Sequence, residues 1–183
     1  MESVEKKQRV SNTFLIFGGK TGWIGKMLVE ECAKRGFDYV VAESRMENRG
    51  DVDLELELIK PTHVLLAAGL TGRPTVDWCE DHKRETIRTN VIGTLNVIDL
   101  CATRNIHVTN FATGCIFEYD NEHPIGGKGF LESDMPNFHG SFYSHTKVFF
   151  FFLFLFSLCV VVFFKQKKKQ TTTGICGRFA RQL

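Results

Sequence analysis

Apolar positions along the chain alternate between two spacings. Short, continuous, β-rich runs occupy residues 13–17, 37–42, 63–67 and 106–111, the length and character of buried parallel strands. Between them the apolar residues recur at helical spacing. Ile24, Met27, Leu28 and Cys32 do so over 23–35, with Gly36 as the stop. A short helix is predicted over 51–59, closed by Lys60-Pro61, and a long one over 81–104 with Ile87, Val91, Leu95, Ile98 and Cys101 on one face. Strands alternating with helices of this length predict an α/β fold, a doubly wound parallel sheet covered on both faces. Residues 120–142, rich in Gly, Pro, Asp and Asn, read as a long surface loop before a further helix.

Chemistry-bearing residues fall where such a fold places its ligands. Gly19-Lys20-Thr21-Gly22-Trp23-Ile24-Gly25 is a G-x-x-G-x-x-G turn between the first strand and the first helix, a phosphate cradle of the kind a nicotinamide dinucleotide needs. Gly19 is expected to allow the tight turn, Gly22 the approach of the pyrophosphate, and Gly25 the packing of helix on strand. After the second strand, Glu43 suits a ribose 2′-hydroxyl and Arg45 a 2′-phosphate, so the two residues point to different cofactors. Thr113 lies just past the fourth strand, at the carboxyl edge of the sheet. Tyr143 and Lys147 stand four residues apart, one turn along a helix. A phenol titrates near pH ~10, and a neighbouring ammonium favours the phenolate and draws that value down, which suits proton transfer beside a carbonyl. Thr113 alone would pass for a cap; with Tyr143 and Lys147 downstream it becomes a partner for the same oxygen. Cys115 reads as a buried apolar residue or as a polarised acid. Phe111, Phe117 and Trp23 read as core, and the six histidines as structural or surface residues.

Charge and cysteine content narrow the setting. The chain has 183 residues and a net charge of +2, but six of its 23 basic residues follow Phe164, leaving 17 against 21 acidic ones before it. A mildly acidic body argues against a general nucleic-acid binder. The six cysteines lack any C-x-x-C pair or His/Cys spacing for a metal, and the charged N-terminus has no apolar run behind it. A reducing, cytoplasmic setting is expected.

The glycine turn, Ala67-Ala68-Gly69, Asn90-Val91-Ile92-Gly93-Thr94, Thr113 and the Tyr143/Lys147 pair together resemble the extended short-chain dehydrogenase/reductases. Residues 71–80, 112–119 and 140–144 resemble more closely the nucleotide-rhamnose synthase/epimerase-reductase branch, which epimerises an NDP-4-keto-6-deoxyhexose and reduces its 4-keto group with NADPH. The resemblance implies a Rossmann-like NAD(P)-binding domain over 12–147, between an N-terminal tail, 1–11, and an apolar segment, 148–164. Carried onto this chain, the turn 19–25, Arg45 and Ala67-Ala68-Gly69 would hold the cofactor, with NADP(H) favoured over NAD(H). Thr113 and Tyr143 would bind and protonate the keto oxygen, Lys147 would sensitise the phenol, and Cys115 would serve as an epimerisation acid. Thr71, Gly72, Arg73 and Trp78 would lie near a UDP- or dTDP-linked sugar. Pairing as a homodimer through the Tyr143 helix is implied too. Two positions depart from the branch: Leu66 stands where asparagine is usual, and Glu43 where a small residue is usual.

After Lys147 the resemblance stops. Residues 148–164 form an apolar run broken only by Ser157, with eight phenylalanines and no amphipathic period, followed by a basic polar tail over 165–183. The run approaches the ~20 residues needed to span a bilayer, which suggests a membrane anchor. Its Phe- and Lys-rich composition also fits translation of a T- and A-rich non-coding tract, and the break inside a helix favours that reading. An apolar helix-like run here would leave a sheet edge uncovered. Two rivals to an enzyme are carried from the sequence: a non-catalytic cofactor-binding or regulatory partner of a full-length enzyme, and a tail-anchored membrane protein.

Overall fold

The computed structural model describes residues 12–131, 133–154 and 160–162; the N-terminal tail over 1–11 and the basic tail over 165–183 lie outside the described residues. Strand β1 (Thr13–Phe17) leads into helix α1 (Trp23–Arg35), followed by β2 (Asp38–Val41), α2 (Arg49–Ile59), β3 (His63–Leu66) and β4 (His107–Phe111). The strands are parallel and lie in the order β2-β1-β3-β4-β5, with β5 at Val160–Val162. This is the doubly wound sheet expected from the alternating pattern. The chain reverses direction across the sheet between β1 and β3, and ligands of such sheets bind at the carboxyl edge of that switch point.

The apolar runs form strands because both faces of β1 are covered: Leu15 and Ile16 are inaccessible although they point to opposite faces. Leu15, Phe17, Val64, Leu66 and Val108 pack with Val52 and Leu56 of α2 and with Val97, Leu100 and Cys101 of α5 (Thr94–Thr103) into one core. Helix ends follow local chemistry. Gly36 takes φ 67° after α1, where a side chain would be strained, and Phe37 N–H donates back to the Cys32 carbonyl (3.0 Å). Lys60 closes α2 in the same left-handed region, and Pro61 prevents continuation.

Two expectations change. The long helix over 81–104 is built in pieces: α3 (Trp78–Asp81), α4 (Lys83–Ile87), a π-helical stretch (Arg88–Gly93) and α5. The expected face is displaced with it. Ile87 is 39% exposed, whereas Thr86, Asn90, Thr94 and Val97 are buried; further along, Cys101 is buried as expected and Ile98 packs against the core. The wider π turn shifts the helical phase, and the buried polar groups are hydrogen-bonded: Thr86 and Thr94 hydroxyls donate to the carbonyls of His82 and Asn90. The apolar run beyond Lys147 is not one helix either. Helix α6 (Phe142–Phe154) ends within it, and Val160–Val162 pairs with β4. Three successive β-branched residues favour extended backbone, and pairing satisfies the β4 edge. No helix among the described residues is long and apolar enough to cross a membrane.

Candidate active site

The glycine turn after β1 is built on backbone contacts that exclude side chains. Gly18 holds φ 87°, and a Cβ there would stand 2.9 Å from the Ala67 carbonyl carbon and oxygen and the Ala68 nitrogen. A Cβ on Gly25 would stand 2.1 Å from the Gly18 oxygen. Gly22 caps α1 and donates its N–H to the Gly18 carbonyl (3.0 Å). The residue that bends the turn is therefore Gly18, one before the expected Gly19; Gly19 instead packs against Val41 and Val29. The Gly18-Gly19 pair in the sequence was the signal for it. No side chain caps α1 and its first turn holds no acidic residue, so its N–H groups are available to an anion. Lys20, Thr21 and Trp23 are exposed, Trp23 by 59%, which removes Trp23 from the expected core; Ile24 is half-buried. Phe117 is buried and Phe111 half-buried.

Beside the turn, the loop after β2 is held by Glu55 of α2, whose carboxylate accepts the Glu43 N–H (2.7 Å) and Ser44 N–H (3.1 Å). Glu43 pairs with Lys20 from the glycine turn. Its charge is thus matched within the protein, while Arg45 is exposed on the same loop.

At the carboxyl edge of β4, Thr113 Oγ1 accepts the Cys115 N–H (3.2 Å), capping a short 3-10 turn over Gly114–Ile116. That leaves its hydroxyl hydrogen for an outside acceptor. Helix α6 brings Tyr143 to this edge. Its start is fixed by Glu80, whose Oε1 accepts the Phe142 N–H (2.6 Å), and by Ser141, whose Oγ accepts the Ser144 N–H (3.1 Å). Ser144 Oγ donates to the Cys115 carbonyl (2.7 Å), tying α6 to the Thr113 turn. Tyr143, Cys115, Cys79 and Val76 consequently form one buried cluster, with Trp78 and Phe138 against it. Trp78 stacks on His82 at 3.6 Å between ring centroids. Gly72 packs beside Trp78, whereas Thr71 and Arg73 are exposed on the segment leading into α3.

Lys147 lies one turn further along α6, its Nζ 5.9 Å from the Tyr143 ring centroid. The ammonium reaches across to β3's exit, 3.1 Å from where a Gly69 Cβ would be. Burial pushes Lys147 down to about 8, opposed weakly by Cys79. Burial likewise raises the Cys79 thiol, with the Thr86 hydrogen bond opposing. Asn90 completes this corner: its Oδ1 accepts the Leu70 N–H (2.7 Å) and its Nδ2 donates to the Leu70 carbonyl (2.9 Å). Asn90, Cys79, Glu80 and Ser144 were not among the candidate site residues. All four fall inside segments that carry the family resemblance (71–80, 90–94 and 140–144), but only the packing shows what each one does. Among the described residues, no group of three His, Cys, Asp or Glu side chains could hold a metal.

The sequence pattern of the NAD dependent epimerase/dehydratase family matches residues 15–153. The chain belongs to this family. Among its relatives, the bifunctional dTDP-4-dehydrorhamnose 3,5-epimerase/dTDP-4-dehydrorhamnose reductase of Arabidopsis thaliana is 55% identical over 139 residues, which are 75% of this chain and 46% of the relative. A trifunctional UDP-glucose 4,6-dehydratase/UDP-4-keto-6-deoxy-D-glucose 3,5-epimerase/UDP-4-keto-L-rhamnose-reductase of the same plant is 56% identical over 141 residues, 76% of this chain and 21% of the relative. The chain thus spans less than half the length of these curated relatives. Of solved structures, the L780 UDP-rhamnose synthase of Acanthamoeba polyphaga mimivirus superposes with a TM-score of 0.72 at 38% identity, covering 81% of this chain and 54% of that one. Within the NAD dependent epimerase/dehydratase family, the Gly18–Gly25 turn and the Tyr143/Lys147 helix therefore sit in a fold shared with rhamnose-forming relatives.

Proposed function

We propose that this chain is the cofactor-binding part of an NADP(H)-dependent nucleotide-sugar epimerase/reductase, acting on the 4-keto group of a UDP- or dTDP-linked 4-keto-6-deoxyhexose. The observation that carries the reading is the convergence, at one sheet edge, of Tyr143, Lys147, Thr113 and Cys115 beside a glycine turn closed to side chains. A dinucleotide fits there: its pyrophosphate meets the Gly22–Gly25 turn and the open α1 N-terminus, with Ala67, Ala68 and Gly69 along the neighbouring strand exit. When bound, the reduced nicotinamide supplies a hydride.

This chain's own residues handle the proton and the oxygen. Thr113 donates its hydroxyl hydrogen to the substrate oxygen and orients it. Tyr143 gives up its phenolic proton to that oxygen as negative charge develops there, and the O–H bond of the phenol breaks as the alcohol O–H forms. Lys147 stabilises the resulting phenolate from one turn away. Cys115, in the same cluster as Tyr143, exchanges a proton with a sugar carbon in the epimerisation half of the proposed reaction. The similarity to rhamnose-forming relatives supports the sugar class, and the pairing of Glu43 with Lys20 supports the 2′-phosphorylated cofactor.

The test is consumption of NADPH by the full 183-residue chain in the presence of UDP- or dTDP-4-keto-6-deoxyglucose. Tyr143→Phe is expected to reduce turnover by about 10²-fold or more while NADPH binding changes little. Turnover unaffected by Tyr143→Phe would remove the phenol from the reaction.

A further inference from the structure

Where the loop after β2 meets the π-helical stretch, a cleft of about 430 Å³ is lined by Arg45, Glu47, Asn48 and Arg88. Its walls are fixed. The Thr89 hydroxyl donates to Glu47 Oε1 (2.6 Å), the Asn96 amide donates to the Met46 carbonyl (3.0 Å), and a Cβ on Gly93 would stand 2.9 Å from that of Met46. Arg45 and Arg88 are both exposed, and neither forms an ion pair among the described residues. Glu43, the other carboxylate of this loop, is matched by Lys20. Two unmatched guanidiniums thus face one carboxylate that is already engaged, and the cleft favours an anion.

Its position says which anion. The cleft lies on the loop that follows β2, and that loop is tied to the β1 turn, which would hold the pyrophosphate, by the Lys20–Glu43 pair. The adenosine half of a dinucleotide extends from that turn toward the end of β2. A planar guanidinium matches phosphate oxygens and stays charged at all working pH values. We infer that Arg88 acts with Arg45 as a two-armed clamp for the adenosine 2′-phosphate, so that cofactor preference is set from the helix as well as from the loop. The clamp rests on the dinucleotide reading given above and adds a specificity residue to it.

Binding of NADPH and NADH to the full chain, titrated by nucleotide fluorescence for the wild type, Arg88→Gln, Arg88→Lys and Arg45→Gln, separates the outcomes. Arg88→Gln is expected to weaken NADPH roughly 10-fold and to leave NADH within about 2-fold, with Arg88→Lys in between. The NADPH/NADH affinity ratio of the wild type should also fall with added salt, and less so in Arg88→Gln. The same ordering with 2′,5′-ADP against 5′-AMP confirms it on the isolated adenosine half. An Arg88→Gln chain that keeps the wild-type ratio overturns the clamp, as does a wild type that holds NADH as tightly as NADPH; both leave the dinucleotide site standing. A wild type that binds neither nucleotide overturns the dinucleotide reading, and the clamp with it.

Discussion

Lys147 is the residue whose environment most alters its chemistry. The residue is half-buried, its ammonium lies beside Gly69 with no ion pair among the described residues, and desolvation brings its value from 10.5 to about 8. Between those two values the unfolded chain holds a proton that the folded chain has released. Native stability therefore rises as pH climbs from about 8 to 10.5, and below 8 the cost of the buried charge is complete and constant. Lys147→Met should stabilise the nucleotide-free chain at pH 7 by roughly 1–2 kcal/mol, after discounting for solvent screening, and the gain should vanish near pH ~10.5. Urea unfolding at the two pH values checks it; an equal gain at both would mean the effect is packing and not charge. The sequence makes the Tyr143/Lys147 adjacency legible because four residues close one helical turn. It does not reveal Gly18 as the bend, because two adjacent glycines look alike until the backbone of Ala67-Ala68 presses on one of them. Nor does it place Trp23, which an apolar scale assigns to the core and the helix start turns outward.

Elements show the same division. β1, α1, β3 and β4 follow the expected runs closely, since a buried parallel strand and a glycine-stopped helix each leave a periodic mark. The segment from α3 to α5 does not, because its inward face begins with Thr86, Asn90 and Thr94, polar groups that apolar counting scores as outward. Asn90 is what those residues are arranged around. Its two hydrogen bonds to Leu70 match both backbone groups of a loop residue, holding the exit of β3 against the π-helical stretch. Asn90→Ala would leave the Leu70 N–H and C=O without these partners, at a cost of about 2–3 kcal/mol. Asn90→Asp keeps the acceptor but buries a carboxylate and sets an oxygen against the Leu70 carbonyl where the donor stood, and should cost at least as much as Asn90→Ala. Denaturant midpoints order the three proteins; a loss below ~0.5 kcal/mol for Asn90→Ala would mean that Leu70 finds other partners at once.

Across the whole molecule, the proposed cofactor would touch the exits of β1, β2 and β3 and the face of α6, so that it joins parts of the chain far apart in sequence. A ligand that binds only the folded chain stabilises all of those contacts together, by about 2.7 kcal/mol when present at 100 times its dissociation constant. For a domain of this size that corresponds to a rise of roughly 5–10 °C in unfolding temperature. NADPH should produce it, and NADH at the same concentration should produce less, because the clamp proposed for Arg45 and Arg88 would add binding only for the 2′-phosphate. Gly25→Ala supplies the control. Its Cβ would stand 2.1 Å from the Gly18 oxygen, so the turn must open, lowering the unfolding temperature without nucleotide and abolishing the shift with it. Thermal scans of both proteins with and without each nucleotide decide the matter. An NADPH shift that survives Gly25→Ala intact would place the nucleotide away from the glycine turn, and with it would go the geometry that sets a hydride opposite Tyr143.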